Sequence, residues 1–375
     1  MIRLDRIRLL EIHLPLKEPF QISSGVVQNR RIMLVQVIDA DGAEGWGECV
    51  AGEYPNYHPE TVDTAWLAIR QWLAPKLFER SFDHPMEIYP WLQQDIRGHH
   101  MAKAAVEMAV WELAARKAGQ SLSRYLGGTR DKVAVGISIG IQPTPGALVE
   151  KVREAMAAGY RKAKIKIKPG ADVAYVRAVR ETLGPDVPIM VDANNAYTLD
   201  NADVLRTLDQ FHLMMIEQPL AWDDLLQHAK LQQTLQTPIC LDESITGVER
   251  ARDMIELRAG RIINIKPGRV GGFTSSKQIH DLCQQNGIPV WCGGMLESGV
   301  GRAHNVALAS LANFTLPGDI SPSSRYWQRD IVVPEWQMDA EGMISVPVDK
   351  PGMGVELDMD YLDHLTVRQD ELKIR

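Results

Sequence analysis

A unit of about 25 residues recurs from residue 131 onward, and it limits the fold more than any other feature of the 375-residue chain. Each unit is a short apolar run, a polar residue, a turn and then a stretch with helical spacing. The runs read VAVGISIGI, KAKIKIKPG, VPIMVDANN, HLMMIEQPL, TPICLDESI, RIINIKPGR and GIPVWCGGM, with FTLPGDI as a weaker eighth. Between two of them, Val173, Val176, Val179 and Leu183 fall three and four residues apart before Gly184, which sets them on one helix face with a glycine stop. DDLLQHAKLQQTL and VERARDMIELRAG read the same way. Strands alternating with helices at this spacing pair in parallel, and seven or eight units in a row favour closure into a barrel. An open doubly wound sheet is the alternative. No Gly-x-Gly-x-x-Gly follows its first strand, so the dinucleotide-binding version of that sheet has no support.

The first 125 residues follow another pattern. RIMLVQVIDADGAEGWGE reads as two antiparallel strands joined at Asp41-Gly42, and MAKAAVEMAVWELAARKAG as an amphipathic helix ending at Gly119. Strands followed by helices describe an α+β domain. The tail from residue 321 lacks the recurring unit and is expected to pack back on that domain. The expected fold is α/β: a modified TIM-type (β/α)7β barrel over 126–320, with an N-terminal α+β capping domain over 1–125 that 321–375 completes.

The period singles out five polar residues. Lys166, Asp192, Glu217, Asp242 and Lys266 each end an apolar run, at gaps of 26, 25, 25 and 24 residues. Equivalent positions in successive units stand on one rim, and in a barrel that is the C-terminal rim, where loops carry chemistry. A single carboxylate at a strand end is a common cap or turn residue; three at matched spacing are not explained that way. Gathered together they need a cation, and an all-oxygen set selects Mg²⁺ first and Mn²⁺ second.

Along KAKIKIK the lysines alternate with small or apolar residues. Lys164 and Lys166 are therefore expected to point into the barrel mouth while Ile165 and Ile167 pack outward, with Lys168 beyond the strand end. Lys266 would face Lys166 across the ion. Repulsion among ammonium groups and a divalent cation is expected to lower their pKa values toward a range suited to proton transfer. A Schiff-base aldolase would also use a barrel lysine, but it has no need of three neighbouring carboxylates. The glycine runs KPGRVGGF and CGGMLESGVG, the second holding Gly294 and Met295, read either as phosphate cradles or as turns whose amides hold a substrate carboxylate. Phe20 in EPFQISSG and Tyr57 in AGEYPNYHPE are candidates for a lid or for ordinary loop packing.

A net charge of −7 offers no basic field for nucleic acid or anionic lipid. No run of about 18 apolar residues is present to cross a bilayer, so a cytosolic protein is expected. Its partners would be small molecules, here a carboxylate substrate, or further copies of itself in a homo-oligomer. Cys49, Cys240, Cys283 and Cys292 are scattered and read as reduced, buried residues.

A Lys-x-Lys strand, then Asp, Glu and Asp on the next three strands and Lys on the following one, resembles the enolase superfamily, specifically its muconate-lactonizing-enzyme branch. VDANNAYT, IEQPLAWDDL, CLDES, WCGGMLESGVGRAHN and PGDISPSSRYW look like the o-succinylbenzoate synthases, close kin of N-succinylamino acid and N-acylamino acid racemases. Dipeptide epimerases of the same branch rank lower, since the place where an acidic motif would hold a substrate amine reads GGMLES. The resemblance implies that Asp192, Glu217 and Asp242 bind Mg²⁺ with Glu243 and Asn194 in support. It also implies that Lys166 and Lys266 are acid/bases on opposite faces of the substrate, and that Lys164 lends charge near the substrate carboxylate. A non-catalytic barrel, a binding or scaffold protein, is the alternative from another class; such a relative would be free to lose one of these five.

Overall fold

The computed structural model describes residues 1–22 and 25–374; Ser23 and Ser24 of the EPFQISSG stretch lie outside the described residues. Two long strands, Leu4–Ile22 and Gly25–Asp39, pair antiparallel and are joined by Glu44–Cys49 on one side. The Asp41-Gly42 turn works as its residues dictate: Gly42 takes φ 88° and its amide reaches the Asp39 carbonyl at 2.9 Å. The fourth strand of this sheet, Thr366–Lys373, comes from the other end of the chain and pairs with Leu4–Ile22, Arg6 standing opposite Lys373.

The helix His100–Lys117 differs from its sequence reading. It is buried on every side from Met101 to Ala115, not amphipathic. One side lies so close on Glu44–Cys49 that a Cβ at Gly45 or Gly47 would strike the carbonyls of Ala109 or Ala105 at 2.3 and 2.1 Å. The other side meets the barrel. There the Glu107 carboxylate accepts from the amides of Phe273 and Thr274, which open the helix Phe273–Gln285. Glu48 does the same for Gly299–Ala309, accepting from Ser298 N at 3.1 Å and Gly301 N at 2.9 Å. Orphan amides at a helix start are natural sites for a carboxylate, so the capping sheet and helix are pinned to two barrel helices. Burial pushes both carboxyls up to about 7 against the pull of these donors.

Seven parallel strands follow one another in sequence order around the barrel: Gly136–Ile139, Lys162–Lys166, Ile189–Asp192, Ile216–Glu217, Ile239–Leu241, Ile262–Ile265 and Val290–Cys292. The weak eighth run closes the ring through single bridges: Phe314 to Val290 and Gly318 to Val135, with Asp319 N donating to the Cys292 carbonyl at 2.9 Å. Pro317 has no amide to give to a ladder, which accounts for a bridge in place of a strand. Met343–Ser345 pairs with Lys132–Ala134 ahead of the first barrel strand. No helix among the described residues is long and apolar enough to cross a membrane.

Candidate active site

Three neighbouring strands end in register. Lys166 pairs with Asp192, and Asp192 with Glu217. The alternation that sends Ala163, Ile165 and Ile167 outward, into one apolar cluster with Val149, Val152, Val176 and Val179 of the flanking helices, sends Lys164 and Lys166 inward. Lys168 is exposed beyond the strand end. Asp242 and Lys266 directly follow Ile239–Leu241 and Ile262–Ile265, so all five residues picked out by the spacing stand at one end of the barrel, and all are buried.

Lys166 Nζ lies 2.6 Å from both Asp192 Oδ2 and Asn194 Oδ1. Lys266 Nζ lies 2.8 Å from Asp242 Oδ2 and 2.9 Å from the Tyr57 hydroxyl, which donates to Asp242 Oδ1 at 3.1 Å. Lys164 Nζ sits among three carboxylates, 2.7 Å from Asp319, 3.3 Å from Asp192 and 3.4 Å from Glu217. Glu217 Oε1 accepts from Asn264 Nδ2 at 2.7 Å, while Oε2 is buried without a hydrogen bond. Glu243 Oε1 accepts from the side-chain amides of Asn194 and Asn195 at 3.1 and 3.2 Å. Gly294 and Met295 line one cavity with Lys164, Lys166, Asn194 and Lys266, under a roof that includes Phe20, Val27, Tyr54 and Tyr57. Apolar walls with a few converging charged groups suit a small organic acid.

Repulsion between the amines predicts lowered lysine pKa values, and for two of them the direction is the reverse. Burial pulls Lys266 down, but the Asp242 carboxylate outweighs it and the net shift is upward. Lys164 is likewise raised, with Asp319, Glu217 and Asp192 overcoming its burial. The acids divide by the cations they meet. Burial raises all of them, yet Lys166 and Lys164 bring Asp192 below its ordinary value, and Lys266 and Arg269 do the same for Asp242. Glu217 goes up to about 8, through burial and then Asp192, and Glu243 up to about 7, through burial and then Asp242.

Among the described residues no three His, Cys, Asp or Glu side chains form a ready metal cluster. Each rim carboxylate faces an ammonium group instead, which is how like charges tolerate one another here. The donor set still fits an oxygen-preferring divalent ion: three buried carboxylates on successive strands, one with an oxygen outside any hydrogen bond.

Two family models cover the chain: Enolase C-terminal domain-like over residues 147–361, and Mandelate racemase / muconate lactonizing enzyme, N-terminal domain over 6–127. The chain belongs to the mandelate racemase / muconate lactonizing enzyme family. Among relatives of this family, an o-succinylbenzoate synthase of Geobacillus kaustophilus is 51% identical over 97% of this chain and 96% of its own. An N-succinylamino acid racemase of Thermus thermophilus is 46% identical over 98% of each. A solved enolase-superfamily member from Listeria innocua superposes with a TM-score of 0.96 at 40% identity, covering 100% of both chains. Enolase-superfamily enzymes typically use Mg²⁺, and a dipeptide epimerase from Cytophaga hutchinsonii, 26% identical with a TM-score of 0.91 and full coverage of both chains, was solved with Mg and a dipeptide.

Within this family fold the two glycine runs serve different ends. Gly271 and Gly272 of KPGRVGGF are not a ligand cradle: with φ of 96° and 114°, their missing Cβ atoms leave room for the Tyr89 ring and the Glu107 carboxylate of the capping domain. Gly294 does line the cavity, and Gly293 lies just behind it against Asn264 and Lys266. A Cβ at Gly293 would stand 2.7 Å from Lys266 Cε, and one at Gly294 would stand 2.4 Å from the Asp319 carbonyl oxygen. Glu297 Oε1 holds this strap by accepting from Met295 N at 2.8 Å. Three further charged residues escape the spacing argument. Arg269 is fully buried and bonds Asp242 Oδ1 and the Tyr57 hydroxyl; Asp319 sits on the weak eighth run; Lys162 lies one alternation below Lys164. Only Lys162 had a signal, the same two-residue period.

Proposed function

We propose that the chain is an o-succinylbenzoate synthase, a metal-dependent lyase that dehydrates 2-succinyl-6-hydroxy-2,4-cyclohexadiene-1-carboxylate to o-succinylbenzoate on the route to menaquinone. The observation that carries this is the pair Lys166 and Lys266 lining one cavity, each against a carboxylate of the rim trio; relatives of that name at up to 51% identity support the choice of substrate. Asp192, Glu217 and Asp242 would hold Mg²⁺, or Mn²⁺, with Glu243 and Asn194 bracing them. When bound, the ion supplies positive charge to oxygens that become negative as the reaction proceeds.

The chain's own residues do the rest. Lys166 takes the proton alpha to the ring carboxylate, and the C–H electron pair moves into an enediolate. That pair then expels the ring hydroxyl, Lys166 returns the proton to the departing oxygen, and water leaves an aromatic ring. Lys266 stabilises the planar intermediate by its charge, and Lys164 does so beside the carboxylate, where fixed charges act on what develops in the transition state. On this reading the enzyme works in the cytosol, as a homo-oligomer.

The second reading is racemisation of N-succinylamino or N-acylamino acids, favoured by the presence of Lys266: the same enediolate could be reprotonated from its side. The 46% identical racemase supports it. A dipeptide epimerase and a non-catalytic barrel rank below both. Side-by-side kinetics on the cyclohexadiene and on N-succinylamino acids test the reading. Dehydration is expected with the higher kcat/KM; turnover of neither substrate would overturn it.

A further inference from the structure

The lysine alternation continues one step below the rim. Lys162 is fully buried, its Nζ makes no hydrogen bond, and it stands 3.5 Å from the centroid of the Trp291 ring. Its register partner is Gly136, where an added Cβ would come within 2.7 Å of Lys162 Cε. The barrel therefore omits a side chain to admit a lysine. Around Trp291 the floor is apolar, made by Met190, Met215, Cys240 and Ile262. A methionine would fill the place without desolvating an ammonium group, so stability does not explain the residue.

What faces the amine is Asp319. Its Oδ1, also without a hydrogen bond, is 3.9 Å from Lys162 Nζ. Its Oδ2 accepts from Ser138 Oγ at 2.9 Å and holds Lys164 Nζ at 2.7 Å. Lys162, Asp319 and Lys164 thus form a column from the barrel floor to the cavity, whose wall includes Ser138, Asp319 and Lys164.

We propose that Lys162 and Asp319 are positioning residues for Lys164: Lys162 anchors Asp319 from below, and Asp319 keeps the Lys164 ammonium at the cavity wall, within reach of the substrate carboxylate. Without that hold Lys164 would settle on Asp192 and Glu217, already 3.3 and 3.4 Å away. The inference rests on the functional reading above for the role of Lys164.

Three full-length variants test it: Lys162→Met, Asp319→Asn and the two combined. Lys162→Met is expected to keep its Tm or gain a few degrees, since a buried charge gives way to a hydrophobe of similar length. Its kcat/KM for dehydration or α-proton exchange should fall about tenfold, and that of Asp319→Asn on the order of 100-fold, the scale of a misplaced group near a reacting centre. The double variant should be no worse than Asp319→Asn alone, because Lys162 acts through Asp319. Losses that multiply in the double variant overturn the proposal, as does a Lys162→Met protein whose kcat/KM stays within about twofold of the parent. If the unsubstituted protein turns over neither substrate, it is the functional reading that fails. The Lys162→Met Tm then judges the column alone, a Tm kept or raised upholding it and a lowered one overturning it.

Discussion

Replacing Glu107 by alanine should loosen the capping domain from the barrel by an amount that can be worked out bond by bond. The carboxylate accepts from Phe273 N at 2.8 Å, Thr274 N at 2.9 Å, Trp111 Nε1 at 2.8 Å and the Thr274 hydroxyl. Trp111 keeps a second acceptor in Thr274 Oγ1 at 3.2 Å. The two amides lose theirs, and both belong to fully buried residues. An orphaned buried donor costs about 1–3 kcal/mol, and relief from burying an ionisable carboxyl offsets part of the sum, so a net loss of about 3 kcal/mol is expected. At about 2.1 cal/mol/K per residue, the 375-residue chain unfolds with an entropy near ~0.8 kcal/mol/K, which turns that loss into a Tm drop of about 4 °C. Glu107→Gln loses one bond, at Phe273 N, and should drop about 2 °C. Thermal denaturation by circular dichroism gives both numbers, and hydrogen exchange should localise the lost protection to the first turn of Phe273–Gln285. An alanine variant within about 1 °C of the parent would refute the reasoning.

Lys166→Ala should lower both dehydration and α-proton exchange in D₂O by 10²-fold or more, on the order expected of a general base; exchange that persists would show the base to be another group. Excess EDTA should silence the enzyme and added Mg²⁺ restore it, and full turnover in the chelator would exclude the metal. His304 is fully buried, and burial holds it at about 4 where 6.5 is ordinary. Its folded pKa lies below the unfolded one, so its share of stability is intact above pH 6.5 and is lost as pH falls toward 4, up to about 3 kcal/mol. His304→Leu should flatten the fall of Tm between pH 7 and 5; parallel curves for parent and variant would contradict this.

Much of the barrel was legible because a parallel strand buried on both faces must be an apolar run, and its rim residues inherit the period of the unit. Lys166, Asp192, Glu217, Asp242 and Lys266 could be found by counting. Asp319 could not: Pro317 and Gly318 reduce its strand to a bridge, leaving no run to mark it. Tyr57 and Arg269 reach the site through docking of the capping domain and a short helix after Ile262–Ile265, which no local pattern encodes. Glu107 looks like a surface charge in sequence, since a charged residue in an alanine-rich helix is usually solvated, and Glu48 looks like the solvated face of a hairpin strand. Their burial depends on helix starts more than 160 residues away. The same docking turned Gly271 and Gly272 from a plausible cradle into clearance for a neighbour. Lys164 and Lys266 depart from the expected pKa direction because the nearest contact of each amine is a carboxylate, Asp319 and Asp242, and not another amine.

The pairing of Leu4–Ile22 with Thr366–Lys373 joins segments at opposite ends of the sequence, Arg6 against Lys373. Closing so wide a loop in an unfolded coil is entropically slow. Once the intervening units have stacked, the gap is bridged by a solid body and the zipper costs little. Assembly should therefore run from the wheel outward, with the edge of the covering sheet sealed last.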